Sequence, residues 1–352
     1  MRVVVVGASG NVGTSLLEVL ERDTAVDELV GVCRRVPEAP PSASVEWRSA
    51  DVTSDDLVPL FRGADAVVHL AWLIQPGRDK PQLRRVNVDG SARVFRAATE
   101  AGVPALVYAS SVGAYSPGPK DRAVDESWPT EGIATSFYSR HKSEVERLLD
   151  AHEREHPEMR VVRLRPGLIF KREAGAEIRR LFAGPFLPNG LVRPGLIPVV
   201  PAVRRLRFQA VHSMDVARAY QAAIASDARG AFNVAAEPVL DPERLGELLG
   251  ARTVSVSPRV LRAGAALSYR LRLQPTEPGW VDMGLAVPLM DTTRAREELG
   301  WRPVKDAGET LLELMEGMRA GAGLPTPPME PGGKGPLRAT ELLGGVGRRL
   351  GG

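Results

Sequence analysis

Tyr138-Ser139-Arg140-His141-Lys142 sets a phenol and an ammonium four residues apart, at the opening of a segment with helical spacing. Positions i and i+4 share one helix face, so Tyr138 and Lys142 project together. A free phenol titrates at about pH 10 and is a poor base at neutrality. A neighbouring ammonium favours the phenolate and is expected to lower that pKa. The pair thus reads as a tuned proton donor or acceptor. Ser110 and Ser111 follow the apolar run at residues 105–109. If that run is a strand of a parallel sheet, its end is where such sheets hold ligands. A hydroxyl there can hold the substrate oxygen that Tyr138 protonates. Ser111 is the favoured catalytic hydroxyl, and Ser110 also suits a turn-capping role.

A second constellation lies at Gly7-Ala8-Ser9-Gly10-Asn11-Val12-Gly13, between a valine run at residues 3–6 and a helical pattern at residues 12–21. Gly7 permits a tight turn, Gly10 lets backbone approach a pyrophosphate, and Gly13 lets the helix lie close to the strand. Phosphates would rest on the N–H groups of the helix N-terminus, which brings Ser9, Asn11 and Val12 into the same site. The residue that follows the second strand then selects the dinucleotide. An acid there would bond a ribose 2′-hydroxyl. Here Cys33 is followed by Arg34 and Arg35, with no acid at residues 31–37. Guanidinium groups suit a 2′-phosphate, so NADP(H) is favoured and NAD(H) stays open. In an arginine-rich chain the same two residues also suit plain solvation. Asp51 and Val52 fit an adenine pocket, the acid meeting the exocyclic amine. Asp51 before Thr53 and Ser54 is equally a turn residue.

These residues need a scaffold of alternating strands and helices. Short apolar runs at residues 3–6, 29–32, 45–47, 66–70, 105–109 and 160–164 read as strands, and residues 12–21, 83–100 and 137–155 as helices. Such alternation predicts an α/β fold with a doubly wound parallel sheet. After residue 166 the texture changes. Residues 184–201 read as Gly- and Pro-rich loops, 207–211 and 232–234 as strands, and 215–225, 242–250, 294–299 and 308–318 as helices. The division expected is a dinucleotide-binding unit at 1–166 and a substrate lobe at 167–320 with segments returning to the main sheet. A Pro- and Gly-rich tail at 321–352 is expected to be disordered.

Composition bounds the function. The chain has 352 residues, 43% hydrophobic and 25% charged, with one cysteine. Cys33 alone forms no intramolecular disulfide and no Cys-rich zinc site, which fits a cytoplasmic setting. The 40 arginines and six lysines nearly balance the acids, at a net charge of +3. No dense basic block marks a nucleic-acid partner, and no segment reads as a membrane span. The expected partner is a small-molecule substrate.

The chain resembles the extended short-chain dehydrogenase/reductase superfamily, in its epimerase/dehydratase-like branch. The likeness is carried by GASGNVG at 7–13, DVTS at 51–54, VVHLA at 67–71, NVDGSARVFRAA at 87–98 and VYASSVGAY at 107–115. It continues with YSRHK at 138–142, RLRPGLIF at 163–170, FQAVHSMDVARA at 208–219 and DTTRAREELGWRP at 291–303. The resemblance implies a Rossmann fold with a small C-terminal α/β substrate lobe. It implies a catalytic triad of Ser111, Tyr138 and Lys142, with Lys142 also holding the nicotinamide ribose. His69, Leu70 and Ala71 would line the cofactor, Asn87 would hold the helix beside it, and Pro166, Gly167 and Leu168 would flank the nicotinamide. A homodimer through the Tyr138 helix stays open. Sugar-nucleotide dehydratases of this branch carry Asp-Glu after the catalytic hydroxyl residue, where this chain has Val112-Gly113. Epimerases often carry Asn-Val-Tyr-Gly-Pro after the sixth strand, where this chain has Arg165-Pro166-Gly167-Leu168.

Other polar residues have two readings each. His152 and His156, spaced i, i+4, suit either a metal or a solvated face, and no third ligand is placed, so metal is not expected. His212 suits the cleft or a structural role. Trp72 suits a pocket wall or the core. Arg204, Arg205 and Arg207 suit a substrate phosphate or an inter-lobe cluster. The favoured function is an NAD(P)(H)-dependent oxidoreductase acting between a carbonyl and an alcohol. An NAD-dependent nucleotide-sugar epimerase comes second, and a non-catalytic NADP(H)-binding redox sensor third.

Overall fold

The computed structural model describes residues 1–39, 42–74, 77–184 and 189–331. Val3, Val4, Val5 and Val6 are β-branched and almost wholly buried. Side chains alternate across a strand, so Val3 and Val5 join one apolar cluster and Val4 and Val6 another. Burying each valine contributes about 1.5–3 kcal/mol. These residues make β1 (Arg2–Val6), near the middle of a seven-stranded sheet. The others are β2 (Glu28–Cys33), β3 (Val45–Ser49), β4 (Ala66–His69), β5 (Ala105–Ala109), β6 (Arg160–Pro166) and β7 (Gly230–Val234). The order is β3-β2-β1-β4-β5-β6-β7, and every pair is parallel.

Helices cover both faces. Helix α1 (Asn11–Leu20) and α4 (Ser213–Ala225) pack together on one side with Leu16, Leu17, Val216 and Tyr220. Helix α2 (Gly90–Glu100) and α3 (Phe137–Glu155) lie on the other with Val94, Phe95, Val145 and Leu149. The chain leaves β1 toward β2 on one side and reaches β4 on the other, so a switch point opens between β1 and β4. Ligands of such sheets bind at that point, beyond the strands' C-terminal ends.

The single helix expected at 83–100 is broken. An α-helical turn at Lys80–Arg84 passes into a π-helical turn at Arg85–Asp89 before α2 begins. The widened turn carries the fully buried Asn87, and such bulges are frequent at functional sites.

Beyond residue 167, β7 apart, the strands pair in twos: Leu168–Phe170 with Ala210–His212, Val199–Ala202 with Arg252–Ser255, and Leu289–Met290 with Ala123–Val124. The strand expected at 207–211 begins later, because Phe208 instead bridges antiparallel to Leu240. Among the described residues of 184–201, a 3-10 turn at Asn189–Leu191 and strand Val199–Ala202 interrupt the loop. Helices Pro258–Arg270 and Pro278–Ala286 were not expected, and both open on a proline, which suits a first helical turn. The disorder expected from residue 321 does not begin there. Thr326 and Met329 are fully buried. Arg180 donates to the carbonyls of Pro328 (2.9 Å) and Glu330 (2.8 Å), and Thr14 Oγ1 donates to Met329 Sδ (3.7 Å). Satisfied backbone and a buried thioether order this stretch. The rest of the expected tail, 332–352, lies outside the described residues.

Candidate active site

The glycine turn is shaped by close contact. Gly7 has φ of +92°, and a Cβ there would stand 2.6 Å from Ala71 N and 2.8 Å from the Leu70 carbonyl carbon. A Cβ on Gly13 would stand 2.4 Å from Gly7 O. Gly7 thus admits the backbone that leaves β4, and Gly13 brings α1 down onto the turn. A Cβ on Gly10 would meet nothing nearer than Gly7 O at 3.6 Å, so that side of the turn is open. Gly10 caps α1 without a side-chain bond, which leaves the first helical N–H groups for an anion. Ser9 bonds the buried Cys33 thiol. Asn11 Nδ2 donates to Ile169 O at 3.3 Å, while its buried Oδ1 has no partner. The turn and the residues after β6 are thereby joined. These features fit a dinucleotide pyrophosphate.

The other expected cofactor residues surround this turn in different ways. Asn87 clamps the loop after β4: its Oδ1 accepts from Leu73 N (2.7 Å) and its Nδ2 donates to Leu73 O (2.8 Å). Both ends of its amide are engaged by this loop, two residues after Ala71. Arg34 is half-buried and Arg35 exposed, and neither guanidinium has an ion-pair partner among the described residues. Their backbone is fixed, since Arg34 O accepts from Ser49 Oγ (3.0 Å) and Arg35 O from Cys33 Sγ (3.2 Å). Asp51 Oδ1 accepts from the backbone N (2.8 Å) and hydroxyl (2.7 Å) of Thr53, the turn use that its neighbours suggest. Val52 is buried, and a Cβ on Gly90 would stand 2.7 Å from its Cγ2. Pro166 ends β6, and Gly167 must be small because a Cβ would stand 2.5 Å from Gln209 O. Leu168 is 39% exposed.

The proton-handling groups converge at the start of α3. Ser136 caps the helix, accepting from Ser139 N, and so fixes its first turn. Ser139 Oγ in turn donates to Gly113 O at 2.5 Å, tying α3 to the turn after β5. Tyr138 meets the Ser111 hydroxyl. Its ring packs against Gly113, where a Cβ would stand 2.8 Å from Tyr138 Cε1. Trp280 lies 4.9 Å from that ring and Trp72 5.8 Å, so the phenol is held between two indoles. Lys142 Nζ donates to Ala109 O at 2.6 Å and sits 3.5 Å from the Trp72 ring centroid. Ser111 Oγ also accepts from Gly113 N at 3.0 Å, so Ser111 is the turn-capping serine. Ser110 instead donates to Glu146.

The expected lowering of the Tyr138 pKa is overturned. Burial pushes the phenol up to about 12, with Ser111 pulling weakly downward. Lys142 lies 5.8 Å from the phenol ring and is itself wholly buried. Burial drives its ammonium well below the usual lysine range, opposed by Glu146. Desolvation thus outweighs the charge effect read from the i, i+4 spacing.

Sequence reasoning missed Glu146, one turn beyond Lys142 on the same face. It is fully buried. Its carboxylate accepts from Arg165 Nε (2.9 Å) and NH2 (3.0 Å), from Arg163 NH1 (2.9 Å) and from Ser110. Burial pushes the carboxyl up, but Arg165 and Arg163 outweigh this and hold it at about 2. The i, i+4, i+8 series Tyr138, Lys142, Glu146 was the available signal. Trp280 and Met283 were missed as well, because they lie in a stretch without motifs.

The remaining candidates have other duties. His69 is buried among Phe95 and Tyr108, bonds Ser91 (2.9 Å), and is pushed down to about 3 by burial. His212 caps α4 through Met214 N (3.2 Å) and faces Glu313 (3.3 Å). His152 bonds Thr99 (3.0 Å) and lies 4.7 Å from the tilted His156 ring. Arg205 donates to the carbonyls of Leu285 and Gly118, and Arg207 to that of Lys120. These two arginines tie segments together, the inter-lobe reading of their cluster.

Residues 3–235 match the family model described as NAD dependent epimerase/dehydratase family. The chain belongs to that family. An uncharacterised protein of Mycobacterium tuberculosis (strain ATCC 25618 / H37Rv) is 29% identical over 327 residues, covering 92% of this chain and 31% of its own length. This chain therefore spans about a third of that relative. An L-arabinose 1-dehydrogenase (NAD(P)(+)) of Haloferax volcanii is 34% identical over 110 residues, 31% of this chain and 41% of that protein. The crystal structure of UDP-glucuronic acid 4-epimerase from Bacillus cereus, in complex with UDP-glucuronic acid and NAD, has the same fold. Its TM-score is 0.65 at 16% identity, covering 91% of this chain and 99% of that one. Among the described residues no helix is long and apolar enough to cross a membrane.

Proposed function

We propose that this family member is an NADP(H)-dependent oxidoreductase that interconverts a carbonyl and an alcohol, with Ser111, Tyr138 and Lys142 as its catalytic residues. The observation that carries the reading is the Tyr138 phenol held between Trp72 and Trp280, against Ser111 and beside Lys142. The Gly7–Gly13 turn would hold a pyrophosphate, with Arg34 and Arg35 toward the 2′-phosphate, Asp51 and Val52 toward adenine, and Leu70, Ala71 and Pro166–Leu168 along the rest. When bound, the nicotinamide supplies the hydride, or receives it in the reverse direction. Ser111 Oγ holds the substrate oxygen. Tyr138 Oη gives that oxygen its proton as the carbon gains hydride, and regains a proton from solvent afterwards. A phenol pushed up by burial is protonated at neutrality, as a proton donor must be. Val112 and Gly113 offer no acid or base for a dehydration. The relation to an arabinose dehydrogenase supports a net redox reaction.

The test is loss of NADPH absorbance with a panel of aldehydes and ketones. Consumption with at least one substrate is expected, and its loss in Tyr138→Phe with NADPH still bound. NAD that copurifies, with no net consumption of added cofactor, would assign the site to epimerisation, the reading that the shared fold with sugar-nucleotide epimerases supports. NADPH binding without turnover of any kind would assign it to sensing.

A further inference from the structure

Helix Pro258–Arg270 contains no buried residue. It rests against helix Pro278–Ala286, and half-buried Leu261, Ala265, Ser268 and Tyr269 mark its inner side. The outer side carries Val260, Ala263, Gly264 and Leu267, continued by Leu271, all at helical spacing and all exposed. Val260 is 64% exposed, Leu267 60% and Leu271 59%. A water-facing helix side is ordinarily polar, and here it is apolar. Eleven large hydrophobic side chains are exposed among the described residues, and seven of them lie between residues 196 and 273. Of these, Val260, Leu267 and Leu271 share one helix side, and a contiguous exposed apolar patch of this kind marks an interaction surface.

The charges around this stripe identify its partner. Arg259, Arg270 and Arg272 are exposed on its rim. Arg78 stacks on the Tyr269 ring at 4.0 Å, toward the inner side of the helix. Residues 248–276 include no aspartate or glutamate. Asp282, which does touch the helix, is paired with Arg262 at 2.8 Å. A second copy docked by a two-fold axis would set this arginine rim against its own image, which repels. The surface calls for an acidic, apolar counterpart.

We infer that helix Pro258–Arg270 docks on an anionic membrane surface, with Val260, Leu267 and Leu271 entering the headgroup–acyl boundary and the rim arginines meeting lipid phosphates. The helix lies in the plane of the interface and does not span. Its inner neighbour, Pro278–Ala286, carries Trp280 and Met283 against Tyr138 and Gly113. The docked face is thus one layer from the reacting phenol.

Sedimentation of the full chain with phosphatidylcholine vesicles, with and without phosphatidylserine, tests this. Binding is expected to the anionic vesicles, weakening as salt rises, and little to the neutral ones. Val260→Asp with Leu267→Asp should abolish it. Arg259→Gln with Arg270→Gln should lower it roughly fivefold for each arginine removed. Both variants should keep the melting temperature and dinucleotide binding of the parent, since neither touches the glycine turn or Tyr138. The arginine variant alters no packing, so it keeps the test decisive if the aspartates unfold the helix. Three results overturn the proposal: no binding of the parent to anionic vesicles, equal binding by both variants, or a parent dimer split by Leu267→Asp without vesicle binding. The last would assign the stripe to a second copy.

Discussion

Val5 on β1 is wholly buried, whereas Val260 on helix Pro258–Arg270 is 64% exposed. The same side chain occurs in both places with opposite surroundings. At Gly7 and Gly13 of the glycine turn, backbone atoms stand so near that a Cβ has no space. On the outer helix a Cβ on Gly264 would meet nothing within 4 Å. One region is defined by what must be small and hidden. The other is defined by side chains that the fold leaves in water. The first kind of constraint builds a site inside the molecule, and the second leaves a surface to be completed from outside.

The contrast can be broken at several points. Tyr138→Phe is expected to lower turnover by roughly a thousandfold, within the range for general acid catalysis. Dinucleotide titration should show affinity unchanged within about twofold. Gly13→Val should destabilise by about 3 kcal/mol or more, because the new atoms meet backbone that cannot yield; a thermal melt reads it. Glu146→Gln should cost about 3 kcal/mol, chiefly by leaving Arg165 buried with a neutral partner, since Arg163 keeps Asp150 and Glu153. Its pH signature has a definite sign. The folded carboxyl is held at about 2, below its ordinary 4.5. Its stabilisation is therefore complete above pH 4.5 and is lost as pH falls from there toward 2. Acid melts of the variant should show a shallower fall over that window. Arg34→Ala with Arg35→Ala should weaken NADP(H) by about tenfold or more, as expected for charge-assisted bonds, and leave NAD(H) nearly unchanged. Equal losses for both dinucleotides would remove the 2′-phosphate assignment. Leu267→Ser should move stability by less than about 0.5 kcal/mol. A larger loss would show that the outer helix is held by its apolar side after all.

The strands were legible because valine runs buried on both faces carry a strong local signal. The glycine turn was legible because backbone contact leaves glycine no substitute. Tyr138, Ser111 and Lys142 were placed together by helix spacing and strand order. Their electrostatics were not, because desolvation depends on what surrounds them. Glu146 shares the helix face of Tyr138 and Lys142, but Trp72, Trp280 and Arg165 come from three distant segments, and no local pattern announces their arrival. The π-helical turn at Arg85–Asp89 escaped for the same reason: the apolar spacing of residues 83–100 is indifferent to one wide turn. Residues 321–331 looked like tail by composition, yet Arg180 and Thr14, far away in sequence, hold them.

Gly113 has a consequence for how this chain's chemistry could change. The Tyr138 ring occupies the space that a side chain at 113 would fill, and a Cβ there would also stand 3.1 Å from Met283 Sδ. An ancestor or designer wishing to add a carboxylate there would first have to displace the phenol. An acid at 113 therefore needs a compensating shift of Tyr138 or Met283, so the two changes are coupled rather than independent.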